Sequence, residues 1–292
     1  MRIVDPHVHL WNLSSGLYPG LEKPSTGFIG NNAPIARSYL LDELLAEGHD
    51  AFEIAKIVNV EAFPTRPLDE TILLQQLADR TGFPQAIVAA ADLADAGCES
   101  LLASHAERRN VRGIRQVLNT HADPFYAYVA EDFLGNPAWR RNFGLLRRWN
   151  LSFDLQLYPQ QMRAAAELAA AYPDVQIVLN HAGMFVDRTL AGWRQWRDGL
   201  ALLAAHENVA VKISGLGMFD HGWTLESLRP YILTTLDAFG LRRAMFASNF
   251  PVDKLFGSYT DLWHAFSAAV ADMSDDERAA LFRTNAERIY RI

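Results

Sequence analysis

Three short stretches carry side chains that bind metals or move protons, each at a point where an extended run would end. The first is Asp5-Pro6-His7-Val8-His9. Successive side chains of a strand alternate between faces, so Asp5, His7 and His9 are expected on one face and Pro6, Val8 and Leu10 on the other. Two imidazoles converging in this way can chelate a divalent ion, and a neutral ring nitrogen is the usual protein ligand for zinc. Two hydrogen-bonded histidines in a polar cavity would show the same spacing, and so short a motif does not separate the readings. The second stretch, Ile177-Val178-Leu179-Asn180-His181-Ala182-Gly183, is an apolar run ending in a third imidazole, which counting by twos puts on the face of Ile177 and Leu179. The third, Ser248-Asn249-Phe250-Pro251-Val252-Asp253, offers an amide followed by a carboxylate.

Strands must deliver these groups to one place. Apolar or β-branched runs recur at residues 3–10, 54–63, 86–93, 111–117, 151–158, 175–181, 209–216 and 244–250. Segments with helical spacing lie between them, at 68–80, 99–109, 137–150, 159–172, 189–206, 225–239 and 258–271. Buried strands alternating with amphipathic helices predict a parallel sheet covered by helices. Eight such units in about 250 residues predict a closed (β/α)8 barrel rather than an open sheet. The expectation is one α/β domain over residues 1–292, with His181 entering the barrel mouth beside His7 and His9. An extra helix is expected over 274–292, its start closed by Ser274 and Glu277, packing against the barrel wall. Residues 12–37, rich in Gly, Pro, Ser and Asn, follow the first strand and are expected to form a lid.

Composition narrows the function classes. Half of the 292 residues are hydrophobic and 21% are charged, which suits a globular enzyme and excludes disorder and a coiled coil. Acidic residues outnumber basic ones by 34 to 27, for a net charge of −7, and no basic run offers a nucleic-acid footprint. The lone Cys98 can form neither an internal disulfide nor a cysteine zinc cluster, and it reads as a packing residue at a helix start. The start of the chain has no apolar signal region, and no run of some 18 apolar residues follows, so a cytoplasmic protein without a membrane partner is expected. His49, His105, His206 and His264 fall in helical segments and read as exposed or capping residues, while Trp193 and Trp196 form a packing stripe. Trp11, Phe63, Phe185 and Phe250 follow strand ends and are candidates for an apolar pocket wall.

Taken together, DPHVHLW at 5–11, VNVEAF at 58–63, VRGIRQ at 111–116, NHAG at 180–183, VKISGL at 211–216 and SNFPVD at 248–253 resemble the amidohydrolase superfamily. The branch they resemble contains sugar-acid lactonases of the fuconolactonase type and pyrone-dicarboxylate lactonases. The resemblance implies that His7 and His9 are the metal or substrate pair of the first strand and that His181 is the histidine of the sixth. It also implies that Asn249 stands where many relatives carry a catalytic aspartate. An amide can coordinate through its oxygen but cannot take a proton from water. Where binuclear members have a bridging lysine on the fourth strand, this chain has Arg112 and Arg115, and Lys212 lies on the seventh. A mononuclear divalent site, zinc by preference, or none is therefore implied, and some lactonases of this branch work without a tightly bound metal.

The function expected is hydrolysis of a small carboxylated or sugar-acid lactone by water. His7 and His9 would polarise the carbonyl or hold the ion, and His181 would orient water or take its proton. Asn249 would position water or a hydroxyl, with Asp253 as the reserve base or a loop cap. Arg115 would clamp a substrate carboxylate, its planar fork matching the acid, with Glu61, Gln156 and Lys212 as further substrate contacts from strand ends. A metal-dependent non-oxidative decarboxylase and a catalytically silent binding protein are the competing readings. The partner expected is a small molecule, with association into a homo-oligomer left open.

Overall fold

The structure, a computed structural model, describes residues 1–48 and 51–292; the expectation for His49 lies outside them. Eight strands are arranged in chain order within one sheet: β1 (Arg2–Val8), β2 (Glu53–Val60), β3 (Ala86–Ala90), β4 (Val111–Val117), β5 (Ser152–Gln156), β6 (Ile177–Leu179), β7 (Val209–Ile213) and β8 (Ala244–Phe246). Each pairs in parallel with the next. Just beyond β8, Phe250 bridges Val8, and the bonds His9 N–H to Phe250 O (2.8 Å) and Asn249 N–H to His7 O (2.9 Å) join the last strand to the first. The barrel of the expected (β/α)8 fold is thus brought almost to closure at the end where strands terminate.

The helices between the strands include α1 (Leu41–Glu47), α4 (Pro137–Phe143) and α5 (Met162–Ala171), and local chemistry sets the ends of the others. The helix α2 (Pro67–Thr81) starts with proline at its first position and stops at Gly82, whose φ of +82° suits a residue without a Cβ. Thr189, Thr224 and Ser258 cap α6 (Leu190–Ala204), α7 (Leu225–Phe239) and α8 (Tyr259–Ala269) by accepting backbone N–H bonds. Trp193 and Trp196 pack together on α6, and Cys98 is a buried first residue of α3 (Cys98–Ala106). His105 departs from expectation. It is fully buried, with Nδ1 3.0 Å from Thr71 Oγ1 and Nε2 3.1 Å from Ala90 O, because α3 turns that face onto α2 and β3.

The alternation of side chains divides the core. Ile57, Ile87, Ile114, Phe153, Leu155 and Ile213 point out to the helices, whereas Val58, Val60, Val88, Val178, Ala210 and Met245 fill the barrel. The C-terminal segment closes the opposite end. Its capping box at Ser274 and Glu277 forms as expected, but the helical run through Asn285–Tyr290 does more than lie on the wall. Ala286, Ile289 and Tyr290 enter the interior cluster, because a barrel lined by small Val and Ala side chains leaves room at its base for a plug.

Strand β1 corrects the parity expectation. Its register against β2 slips between Asp5 and Val8, where the β1 side has one residue more. Such a bulge moves later side chains to the other face. Val4 therefore points inward, and so do His7 and His9, but Asp5 points out, accepting hydrogen bonds from Tyr259 O–H (2.9 Å) and Ser248 N–H (3.0 Å). Among the described residues no helix is long and apolar enough to cross a membrane.

Candidate active site

A cavity of about 140 Å³ opens at the mouth of the barrel, lined by His9, Arg115, Gln156, His181 and Asn249 among others. A void of about 150 Å³ holds one benzene, so this chamber matches a single small ring. Residues 12–37 supply Leu21, Ile29, Asn32 and Ile35 to its wall, which agrees with their expected place over the site. Trp11 and Phe63 line it as well, whereas Phe185 packs on Trp193 and Trp196 and Phe250 is buried against Tyr259. Tyr128 and Met218 belong to the lining and were not legible in the sequence, since they follow strands in segments without periodicity.

The three imidazoles do meet. His7 lies 5.0 Å from His9 and 4.6 Å from His181, ring centre to ring centre. For His181 the strand parity gives the wrong reason: Ile177 and Leu179 point to the helices, and Val178 is the inward residue. The turn after β6 swings His181 inward, with His181 at φ +54° and Ala182 at φ +48°. Asn249 (φ +59°) and Phe63 (φ +55°) adopt the same left-handed backbone at the ends of β8 and β2. Such conformations cost non-glycine residues about 1 kcal/mol each, and they gather here at the chamber.

Hydrogen bonds fix which nitrogen of each ring carries a proton. His9 Nδ1 lies 2.8 Å from Val60 O and 3.1 Å from Glu61 O. Carbonyls only accept, so Nδ1 donates, and the Nε2 of the neutral ring keeps its lone pair. Burial first, and Arg115 next, push His9 down to about 3, so the ring is neutral at pH 7. His7 has the opposite arrangement. Lys212 Nζ is paired with the Asp154 carboxylate, both side chains being fully buried, and lies 3.3 Å from His7 Nδ1. An ammonium only donates, so Nδ1 accepts and the proton sits on Nε2, which is buried without a partner. Burial holds Lys212 below the usual lysine range, and the Asp154 carboxylate opposes it. Burial together with Lys212 keeps His7 well below the usual histidine range, and burial with Arg115 does the same to His181, whose Nδ1 is 3.0 Å from Ser214 Oγ.

The remaining candidates hold one another. Arg115 Nε donates to Glu61 Oε1 (2.5 Å), Nη2 to Glu61 O (2.6 Å) and Nη1 to Gln156 Oε1 (3.2 Å). Of the five guanidinium N–H groups, two are left with no partner among the described residues. Glu61 is occupied by that pairing and by Phe63 N–H (2.7 Å). Asp253 accepts from Asn249 Nδ2 (2.6 Å) and Gly217 N–H (3.1 Å), which aims the Asn249 oxygen away from it. Lys212 is outside the chamber lining, in a layer below it with Asp154, Asn180 and Tyr290; the Tyr290 hydroxyl donates to Asp154 (2.9 Å).

These residues do not fit a divalent ion as they are arranged. His7 presents an N–H where a ligand needs a lone pair, Asn249 replaces a charged donor, and the cations of Lys212 and Arg115 lie close by. Among the described residues no group of His, Cys, Asp and Glu is disposed to hold a metal.

Buried titratable groups make stability depend on pH. Burial raises Asp5 to about 6, Asp253 to about 7 and Glu70 to about 8. Carboxyls raised above their unfolded values contribute stability that is full below about pH 4 and is lost as pH climbs through those values. The lowered His7, His9 and His181 act in reverse, their contribution being lost as pH falls below about 6.5. The thermal midpoint is therefore expected to peak near pH 6 and to fall toward about pH 8.5. Scanning calorimetry across that range checks this, and a midpoint still rising between those values would refute it.

The comparisons with known proteins agree with this fold. The chain is 46% identical, over 100% of its length and 99% of the relative's, to the uncharacterized protein y4mH of Sinorhizobium fredii. It is 30% identical to L-fucono-1,5-lactonase of Burkholderia ambifaria, over 99% of this chain and 95% of that one. An amidohydrolase of Burkholderia multivorans, solved with bound zinc, superposes with a TM-score of 0.83 at 28% identity over the whole of both chains. The family model described as Amidohydrolase matches residues 4–292, and this chain belongs to that family.

Proposed function

We propose that this protein hydrolyses the ring ester of a small, uncharged lactone by attack of water on the ring carbonyl. One observation carries the reading: a ring-sized chamber is lined both by His9, whose Nε2 keeps its lone pair, and by Arg115, which has two N–H groups without a partner among the described residues. The 30% identical lactonase and the family membership support a cyclic ester as substrate. The zinc-bound relative supports a divalent ion within the family, and the donor set described above is the reason no step is assigned to one in this chain.

The charges favour a neutral ligand over a dicarboxylate. Arg115 is paired with Glu61 and Lys212 with Asp154, both pairs buried, and the three imidazoles are neutral, so no net positive charge is left to hold an acid group. Arg115 then serves as a donor to a substrate oxygen in place of a carboxylate clamp. Water held beside His181 and Asn249 attacks the carbonyl carbon as His9 Nε2 takes its proton. Hydrogen bonding to Asn249 and to the Val60 and Glu61 carbonyls favours the imidazolium so formed. The two unpaired N–H groups of Arg115 are the available donors for the developing oxyanion, while His7 lies buried behind the lining beside His9 and His181. As the ring C–O bond breaks, the imidazolium returns the proton to the departing alkoxide, leaving a hydroxy acid.

The test is proton release by purified protein on a panel of aldonolactones, dicarboxylic lactones and uncharged δ-lactones, with and without a chelator. Hydrolysis that persists under chelation is expected, with the uncharged members fastest; no turnover on any member overturns the reading. His181→Asn is expected to lower turnover about a hundredfold with an unchanged thermal midpoint. Full activity in that variant would remove His181 from the mechanism.

A further inference from the structure

A second cavity, of about 360 Å³, adjoins the ring-sized chamber, and Phe63, Arg115 and Tyr128 line both. We infer that it is a subsite for an apolar alkyl or aryl substituent carried by the lactone ring, an inference that rests on the lactonase reading.

The inner lining supports that class. Pro64, Ala90, Ala91, Val117, Val129 and Phe133 supply apolar surface. The polar side chains among them are already partnered. Gln116 Nε2 donates to Asp92 Oδ1 (2.9 Å), and its Oε1 accepts from Leu93 N–H (2.9 Å) and Trp139 Nε1–H (2.8 Å). Asp92 Oδ1 also accepts from Ala94 N–H (2.9 Å), and both Glu61 oxygens are taken by Arg115 and Phe63. A hydroxyl-rich extension entering here would give up its bonds to water and find only the exposed Asp92 Oδ2 and the shared wall of Arg115 and Tyr128 to replace them. An apolar group loses nothing and gains contact.

Phe63 is built as the divider. The residue is 56% exposed in spite of its size, and its backbone is held left-handed with its N–H bonded to Glu61 Oε2. The Arg115 guanidinium lies 5.5 Å from the ring centre. A carboxylate that already pairs with Arg115 thus also sets the position of an exposed aromatic ring between the chambers.

The test compares δ-valerolactone with its phenyl-substituted and hydroxymethyl-substituted forms, by pH-stat with the purified protein. The phenyl form is expected to show kcat/KM at least about tenfold above both others, since each buried methylene equivalent contributes severalfold. Val129→Trp, which fills the second cavity from a half-buried loop position, is expected to reduce that ratio about tenfold at an unchanged thermal midpoint. Should the variant fold poorly, calorimetric binding of tetrahydropyran and its phenyl- and hydroxymethyl-substituted forms, uncharged rings that cannot be hydrolysed, to the natural protein decides instead, with the phenyl form expected to bind about tenfold tighter. Equal kcat/KM for the three lactones overturns the subsite and leaves the lactonase reading standing. Turnover of none overturns the reaction, and equal binding of the three cyclic ethers would then overturn the subsite as well.

Discussion

Replacement of His9 by glutamine is expected to lower kcat by a hundredfold to ten-thousandfold, the range typical of losing a positioned general base. An amide offers an oxygen and two N–H groups but no site that takes a proton from water at neutral pH. The loss is expected in kcat more than in KM, because the Arg115 edge and the apolar walls that bind the ring remain. Stability should change little, since glutamine can still donate toward the Val60 and Glu61 carbonyls that His9 Nδ1 now satisfies. Steady-state kinetics with the best lactone of the panel, alongside a thermal melt, checks both parts. Activity within about threefold of the natural protein would mean that His9 is not the base.

The second large effect concerns a residue that never reaches the chamber. Lys212→Met is expected to destabilise the fold by about 3 kcal/mol, because it strands the Asp154 carboxylate in the barrel. This is the low end for a broken buried pair, since Tyr290 O–H and Asn180 Nδ2 still donate to Asp154. The same change frees His7 Nδ1 to carry the proton, so Nε2 gains the lone pair that a metal needs. The variant is therefore expected to retain zinc after dialysis where the natural protein loses it. Pairing the change with Asp154→Leu should recover most of the stability while leaving zinc binding in place. Urea unfolding and metal analysis of the three proteins separate the two effects, and identical zinc content in all of them would show that Lys212 does not govern the state of His7.

Much of the architecture was legible because periodicity reports which faces are buried. The runs at 86–93 and 209–216 contain the inward Val88 and Ala210 and the outward Ile87 and Val211 that a covered parallel sheet requires. Placement of functional side chains was less secure, because one extra residue reverses every face after it. The bulge in β1 removed Asp5 from the histidine face, and two left-handed residues after β6 brought His181 inward although the count by twos had tied it to the outward Ile177 and Leu179. Neither event leaves a mark in composition or spacing, since glycine is absent from Asp5–His9 and the left-handed positions are His181 and Ala182.

By itself the sequence determined the chemical inventory and the order of elements: three histidines, an asparagine and an arginine, each at the end of a strand in a repeated strand and helix pattern. Residue types and local periodicity are sufficient for that, because burial of one face is a short-range constraint. Only the tertiary structure decided what each group can do. The proton on His7 is set by Lys212, 205 positions away, and Lys212 is held by Asp154, which accepts from Tyr290, 136 positions further along the chain. Tautomer and charge depend on which donor or acceptor lies within about 3 Å, and closing the barrel is what brings such distant partners that near.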